Sequence, residues 1–520
     1  MRMDEMYIFT SVAFFIWALR SIFYWINQWQ RLSSGTLLAR SPFKYVLKIL
    51  FSPFSVISWV GVIFSFYVTI VDLPLIYYES FIFFIFIFKA IFTLIDIGSG
   101  RIVLPRFTLQ NSIISILAVV LTAIVIVLPL TERYLWLLLV DRMLFIFVAL
   151  PVFLILFPSE IFDDIQLRRS GQVIKKFKKI KPVFILGDGA SETAYFMHQV
   201  LRRKKNIIVI ENPFMRPGFI ARSILKNTTS QTDFIFIVMP KLHLASLSTI
   251  ARIIPPAYLI FLDKDSKQFQ KTINVLDPFI LKNTLIIVDQ LFARMVDHKK
   301  RKIVTFDRST SEENLGDATI YSYNQRKDEL VLSLKIGERT LKLSTPVIGN
   351  HHIEYLLPSF LFASVIGMTD EELVKAQNNI NPLPGRLVGH VLHSGIVVID
   401  ATRIKHKNEV SGALNYLNIY HKKRILVYGI EDELSEDEIK ALKTEFASPT
   451  TIIVLKQKYQ QLMRRLIRIG TGKIEVRFDN EDGVLQLTSD ELSKGDVLLL
   501  LGKDAGELVE SILLSSRTLR

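Results

Sequence analysis

The residues best suited to chemistry form a short run, Gly187-Asp188-Gly189-Ala190-Ser191-Glu192-Thr193, placed directly after the apolar stretch Pro182–Leu186 and before a helical pattern that continues through Leu201. A strand, a glycine-containing turn and a helix make the layout in which backbone N–H groups and a helix N-terminus hold a phosphate. His351-His352 and His243 invite a metal reading, but no carboxylate or third histidine stands at ligand spacing, so they read as ordinary histidines. The absence of cysteine excludes disulfides, thiolate metal sites and a cysteine nucleophile. Arg403, Lys405, His406 and Lys407 cluster in a predicted loop, where the alternatives are a solvated face and an anion site in a domain cleft. No Ser/His/Asp grouping is recognisable.

The elements that must position the 187–193 turn are short apolar strands alternating with helices. After Leu201 comes a second such strand, Asn206–Ile210, and the alternation continues to the C-terminus, which argues for a mainly parallel α/β sheet. The chain before it is different. Half of the 520 residues are hydrophobic, the mean hydropathy is +0.34, and the excess lies before about Phe157. A bilayer core of roughly 30 Å takes about 20 apolar residues in helix. About five stretches qualify: Tyr7–Trp29, Ile49–Val71, Leu73–Ile97, Leu109–Leu130 and Tyr134–Phe157. Arg20 interrupts the first, and no small-residue cleavage site follows, so it is not a cleavable signal.

Basic residues orient these spans. Arg31, Arg40, Lys44 and Lys48 follow the first; Arg101 and Arg106 follow the third; Arg168, Arg169, Lys175, Lys176, Lys178, Lys179 and Lys181 follow the fifth. Lys/Arg-rich loops stay in the cytoplasm, so the expected topology has the N-terminus outside and the α/β part inside a cytoplasmic membrane. The net charge of +14 is accordingly read as attraction to anionic lipid. No nucleic-acid motif accompanies it. Glu79, Lys89, Asp96, Asp141 and Arg142 fall within the apolar stretches. They are either an ion or substrate path, as in a transporter, or structural, with Asp141 and Arg142 paired in a tight bundle and Glu79 and Asp96 near helix ends. Without an internal repeat or broken helices, the block reads as an anchor. The expected organisation is a transmembrane domain at 1–165, a basic linker at 166–181, and α/β domains at 182–382 and 383–520.

From residue 182 to 515 the sequence resembles the Mur ligase family, ATP-dependent enzymes that join an amino acid or peptide to a carboxylate in peptidoglycan synthesis, and most nearly its D-alanyl-D-alanine-adding branch, MurF. The resemblance rests on segments in the family's order. Gly187–Thr193 takes the place of the G-T-x-G-K-T-T loop, and Met239–Leu247 through Pro256 that of the E-M-G segment and its helix. Gly349-Asn350-His351-His352 resembles G-x-H-N, and Pro384-Gly385-Arg386 the P-G-R that opens the C-terminal domain. Val397–Thr402 through Leu414 follows the D-D-S-Y-N-A-N-P segment. Arg424–Gly429 with Glu433-Leu434, and Gly495–Leu499, complete the set.

The resemblance implies a P-loop-type central domain and a Rossmann-like C-terminal domain behind the membrane block. It also implies a site that neutralises a triphosphate and holds Mg²⁺. The position of the family's loop lysine is Ser191, the next hydroxyl residue is Glu192, the metal-binding glutamate is Val238, and the asparagine of G-x-H-N is His352. In the C-terminal segment Ala401–Lys407 lacks the tyrosine, both asparagines and the proline. The surviving nucleotide positions are Gly187, Gly189, Ser191 by place only, Thr193, His351, Arg386, which resembles a phosphate contact, and Asp400, which resembles a residue near the ribose. Each also has a structural role open to it, Arg386 as the partner of a carboxylate at the domain junction. No catalytic or metal residue is expected and no cofactor. The expected protein is a membrane-anchored, catalytically degenerate scaffold or regulator of cell-envelope synthesis, with membrane lipid and cell-wall synthesis proteins as partners. An active ATP-dependent amide ligase, with MgATP as cofactor, and a transporter with a Mur-like sensor are the alternatives.

Overall fold

The computed structural model describes residues 3–33, 63, 67, 75–99, 109–128, 133–211, 216–240, 242–263, 265–296, 301–308, 316–404, 407–429, 442, 445–455 and 475–518. Lys405, His406, Glu433-Leu434 and, apart from Ile63 and Tyr67, Ile49–Val71 lie outside them. Two compact units result, one holding the chain up to Lys176 with 212–228 and 243–254, the other holding the remainder.

In the first unit, helices α1 (Met3–Ser33), α2 (Leu75–Gly98), α3 (Leu109–Val127) and α4 (Arg133–Lys176) form where the long apolar runs occur. Their seam is built from Phe14, Ala18, Ile82, Phe86, Leu137 and Leu138. Rings Phe14 and Phe86 meet edge to face at 5.0 Å, and Tyr7 meets Tyr134 at 5.6 Å. Further along, Lys89 Nζ lies 2.9 Å from Asp141 Oδ2, Trp17 Nε1 donates to Asp141 Oδ1 at 2.8 Å, and Arg20 pairs with Asp96 at 2.5 Å. Residue numbers rise together along α1, α2 and α4, so these three helices run in the same direction. Helix α3 runs against them: Ile114 and Ala118 pack by Ile22 and Ile26, while Val125 O accepts from Trp136 Nε1 at 2.6 Å.

Two sequence expectations change here. Asp141, expected to pair with Arg142, pairs with Lys89 of another helix; the Arg142 side chain lies outside the described residues. Among the described residues two helices, Glu5–Ile26 and Glu79–Gly98, are long and apolar enough to cross a bilayer, against about five expected. Helix α3 stops at Val127, two residues before Pro129, which supplies no N–H to continue it; it is a shorter apolar helix.

Helix α4 continues without a break through 44 residues, so the basic segment after residue 165 is helical as far as Lys176. It carries two further helices of the first unit along its length, α6 (Pro217–Asn227) and α7 (Leu244–Ile253). Gly218 of α6 lies against Asp163, and Gly171 of α4 lies against Ile253, with no room for a Cβ at either glycine. His243, at the N-cap of α7, shares a 3.3 Å hydrogen bond with Ser246 Oγ.

The second unit is α/β. Nine strands in the order β2-β3-β1-β4-β5-β6-β7-β8-β9 make one sheet, opening with β1 (Lys181–Leu186), β2 (Ile207–Glu211), β3 (Phe234–Met239), β4 (Tyr258–Phe261) and β5 (Leu285–Asp289). β6 (Lys302–Asp307) continues it in parallel, and β7 (Ala318–Gln325), β8 (Leu330–Ile336) and β9 (Arg339–Thr345) add an antiparallel extension. β1 is flanked on both sides, by β3 and β4, and every residue from Pro182 to Leu186 is buried. That is the reason this strand is a continuous apolar run rather than an alternating one. Helix α5 (Ala190–Leu201) follows it, and α9 (Ile353–Val365), buried on nearly every side, packs beside α5 after α8 (Ser266–Leu276). A second sheet, β10-β11-β15-β12-β13-β14, is parallel except for its first strand. Its strands are β10 (Val388–Val391), β11 (Val397–Ala401), β12 (Arg424–Tyr428), β13 (Thr451–Val454), β14 (Glu475–Phe478) and β15 (Val497–Leu501), and helix α10 (Lys407–Leu417) follows β11.

Candidate functional site

The turn after β1 is shaped by two glycines in the left-handed region, Gly187 at φ 99° and Gly189 at φ 84°. Space as well as conformation demands them. A Cβ on Gly187 would stand 2.5 Å from Asp263 Oδ1, and one on Gly189 would overlap the Tyr355 ring of α9. Gly187 N–H donates to Met239 O at 3.0 Å and Thr193 N–H to Gly189 O at 2.9 Å, so the turn passes directly into the first turn of α5.

Ser191 and Glu192 occupy that first turn. Ser191 Oγ donates to Glu211 Oε1, at the end of β2, at 2.6 Å. Glu192 is buried and faces the opposite way, toward Arg386: its Oε1 lies 2.5 Å from Arg386 Nη2. The other guanidinium nitrogen, Nη1, pairs with Glu409 Oε1 of α10, and that oxygen also accepts from Tyr355 Oη at 3.3 Å. One arginine is thus held between two buried carboxylates, one from each sheet's own helices. Burial pushes the Glu192 carboxyl up from its ordinary range, with Arg386 opposing, and burial, followed by the carboxylates of Glu409 and Glu192, drives the Tyr355 phenol up.

The two histidines line the same junction. Burial pushes His351 down to about 3, with Arg386 adding to the effect, and burial likewise holds His352 well below its usual value. Both are neutral at physiological pH. His352 Nε2 shares a 3.1 Å hydrogen bond with Arg386 O. His351 packs against Gly412 and Gly349 with no room for a Cβ on either, and its ring nitrogens and Thr193 Oγ1 make no hydrogen bond among the described residues. Val238 is buried within β3, where it pairs with Ile185.

Gly187, Gly189, Thr193, His351 and Arg386 are therefore brought into one neighbourhood, and Ser191 reaches out of it to Glu211. Asp400 is engaged locally: its Oδ1 accepts from Thr402 N at 3.1 Å and Thr402 Oγ1 at 2.7 Å, capping the end of β11. Gly385 takes φ 75°, a Cβ there would meet the stem of Arg403, and Arg403 N–H donates to Gly385 O at 2.8 Å in the turn beside Arg386. Sequence reasoning missed Glu409, Tyr355 and Asp263. The readable signal for Glu409 is a carboxylate on the helix face otherwise made of Val410, Ala413 and Leu414, all buried; a charge on an apolar face calls for a partner. Asp263 is buried beside the turn, and burial pushes its carboxyl up to about 6. A cleft of about 630 Å³ lies elsewhere, lined by Arg326, Lys327, Glu329, Ser344 and Asn378, and contains none of these residues.

Comparison with solved structures identifies this arrangement of sheets. The chain superposes on MurF ligase from Thermotoga maritima in complex with ADP at a TM-score of 0.56 and 16% identity, over 69% of this chain and 85% of that one. MurF from Acinetobacter baumannii gives 0.57 and 15%, over 67% and 80%. No protein-family model and no curated protein matches the sequence. The α/β portion has the Mur ligase fold.

Proposed function

We propose that this chain is a membrane-anchored protein of Mur ligase fold that has given up ligation and acts as a scaffold or regulator in peptidoglycan and cell-envelope synthesis. The observation that carries this reading is the occupation of Arg386. The arginine that resembles a phosphate contact is already matched by Glu192 and Glu409, and Glu192 stands at the helix N-terminus where a phosphate would be drawn.

MgATP does not fit these residues. It brings about four negative charges against two on the metal, and here it meets Glu192 in place of a loop cation, Ser191 turned to Glu211, and apolar Val238 in place of a metal ligand. A lost charged contact in a water-poor site costs several kcal/mol, and 1.4 kcal/mol is a factor of ten, so affinity falls by at least ~10³-fold. Titration calorimetry on the full-length protein in detergent is expected to detect no MgATP binding at about millimolar nucleotide, and no hydrolysis above background. Tight, Mg²⁺-dependent binding that disappears in Arg386→Ala would overturn the reading in favour of the working amide ligase.

The anchor is read as multi-pass, with the N-terminus outside and the α/β portion in the cytoplasm. Two helices long and apolar enough to cross, the shared direction of α1, α2 and α4, and the basic residues that follow α4's apolar part support it. That shared direction is the relation alternate spans must have. The ion pairs Lys89–Asp141 and Arg20–Asp96 are matched inside the block, which favours an anchor over a conducting path. A reporter fused after Arg169 is expected to be active only in its cytoplasmic form. Membrane lipid and envelope-synthesis proteins are the partners this reading implies, and nucleic acid is not.

A further inference from the structure

We propose that the outer face of α6, with the stretch of α4 it packs on, is a docking surface for anionic lipid headgroups; this rests on the membrane-anchored reading above. The position along α4 comes first. Asp163 lies six residues beyond Phe157, the last of the apolar run, or about 9 Å at 1.5 Å per residue. A bilayer whose hydrocarbon is about 30 Å thick reaches about 40–45 Å with its headgroups, which leaves about 5–8 Å of headgroup on each side, so Ile161 and Phe162, about 6 and 8 Å past Phe157, lie in the headgroup layer and Asp163 lies just beyond it. Helix α6 meets α4 here: Gly218 lies on the Asp163 side chain so closely that a Cβ would collide with it.

The chemistry at that level is amphipathic. Ile161, Phe162 and Ile165 on α4 and Phe219 on α6 are each 40–54% exposed. Single exposed apolar side chains need no explanation, but Ile161 and Ile165, about 160° round α4 from Asp163, together with Phe162 and Phe219, leave apolar side chains exposed round the helix pair at one level. Arg216 and Arg222 are exposed on α6, on either side of Phe219, and both act electrostatically on Asp163. Burial nonetheless raises that carboxyl, and at full charge it would offset only one of them. From Arg216 to Asn227 the segment has three basic residues and no acidic one. Aromatic and aliphatic side chains flanked by arginines, beside a helix leaving its apolar run, match a bilayer surface with anionic lipid: rings in the headgroup boundary, guanidinium groups on phosphates.

The chain has no cysteine, so one introduced cysteine labels one place. Phe219→Cys, carrying an environment-sensitive fluorophore, would be compared with Phe84→Cys on the outer side of α2 and Glu338→Cys on the β8–β9 turn. The full-length protein would be reconstituted in nanodiscs bearing a headgroup-level nitroxide lipid, with phosphatidylcholine alone or mixed with phosphatidylglycerol. In anionic discs the label at 219 is expected to be quenched at least about twofold more than at 338. Each arginine at an anionic surface is worth about fivefold in occupancy, so Arg216→Gln with Arg222→Gln should bring quenching at 219 near that at 338, as should high salt. Phe162→Cys makes the same comparison should the change at 219 disturb α6. Quenching at 84 but not at 219 or 162 overturns the docking surface. Equal quenching in neutral discs, unchanged by the double substitution, overturns its recognition of anionic lipid. A blue-shifted label at 219 without quenching marks a face covered by protein and also overturns it. Absence of quenching at 84 as well would instead sink the membrane anchoring on which the proposal rests.

Discussion

Replacing Arg386 with methionine tests the central feature of the site, because it leaves Glu192 and Glu409 buried without the cation they share. Breaking a buried ion pair by removing one partner costs about 3–5 kcal/mol. For a domain of this size class 1 kcal/mol moves Tm by about 2–4 °C, so Arg386→Met is expected to lower the Tm of the α/β portion by about 6–20 °C at pH 8. The loss has a pH signature. Glu192 is already raised by burial, and without the arginine it rises further. A carboxyl raised in the folded state is a penalty that is absent below its unfolded value, near 4, and fully present above its folded one. The destabilisation must therefore shrink toward pH 5 as Glu192 takes up a proton. Replacing all three charges, with Glu192→Gln and Glu409→Gln added to Arg386→Met, removes the uncompensated carboxylates and should recover most of the loss. Differential scanning fluorimetry of the full-length protein at pH 5 and pH 8 reads each case. An Arg386→Met variant within about 1 kcal/mol of the parent at pH 8 would refute the reasoning, as would a triple variant less stable than the single one.

Asp263→Asn should stabilise the protein at pH 7.5 and be neutral at pH 4. The carboxyl, at about 6 in the fold against about 3.9 unfolded, costs up to about 3 kcal/mol once both states are ionised; chemical denaturation at both pH values checks the difference, and destabilisation at both would show that the carboxylate is needed. Lys89→Met should destabilise the helical block by about 3–5 kcal/mol because Asp141 loses its cation, and adding Asp141→Leu should restore much of it; resistance of the reconstituted protein to unfolding in SDS reads both, and an additive double variant would deny the pairing. Gly189→Ala should cost about 2–4 kcal/mol, from the left-handed φ and overlap with Tyr355, and a thermally silent variant would mean that α9 is free to move away.

The strand, turn and helix at the site were legible because local rules specify them. A continuous apolar run marks a strand buried on both faces, and glycines mark left-handed backbone; the strand expected at Pro182–Leu186 is Lys181–Leu186, and the one expected at Asn206–Ile210 is Ile207–Glu211. The antiparallel extension departs from the strand–helix alternation expected to the C-terminus; its overlooked signal is the alternation of Leu330, Leu332, Leu334 and Ile336, all buried. What the sequence withheld is tertiary. Nothing local tells Glu409 that its partner is Arg386, or Asp141 that its partner is Lys89, since each contact joins elements that come together only through the packing of helices and sheets. The apolar runs of the first unit show the related limit: composition indicates helix, whereas length, capping and a proline such as Pro129 decide where each one stops.

The Glu192–Arg386–Glu409 arrangement also bears on how the two sheets of the second unit can move. A junction bridged by a nucleotide opens whenever the nucleotide leaves, and turnover depends on that opening. Here the bridging anions are side chains, present at the effective concentration of one folded chain, and they cannot diffuse away. Neutral His351 and His352 pack the same junction; water would satisfy their ring nitrogens on opening, so what opposes opening is the separation of Arg386 from Glu192. On the proposed reading, the Arg386–Glu192 pair stands in for the ligand between the sheets. Under the scaffold reading proposed above, a body held in this way would present one constant surface to its partners.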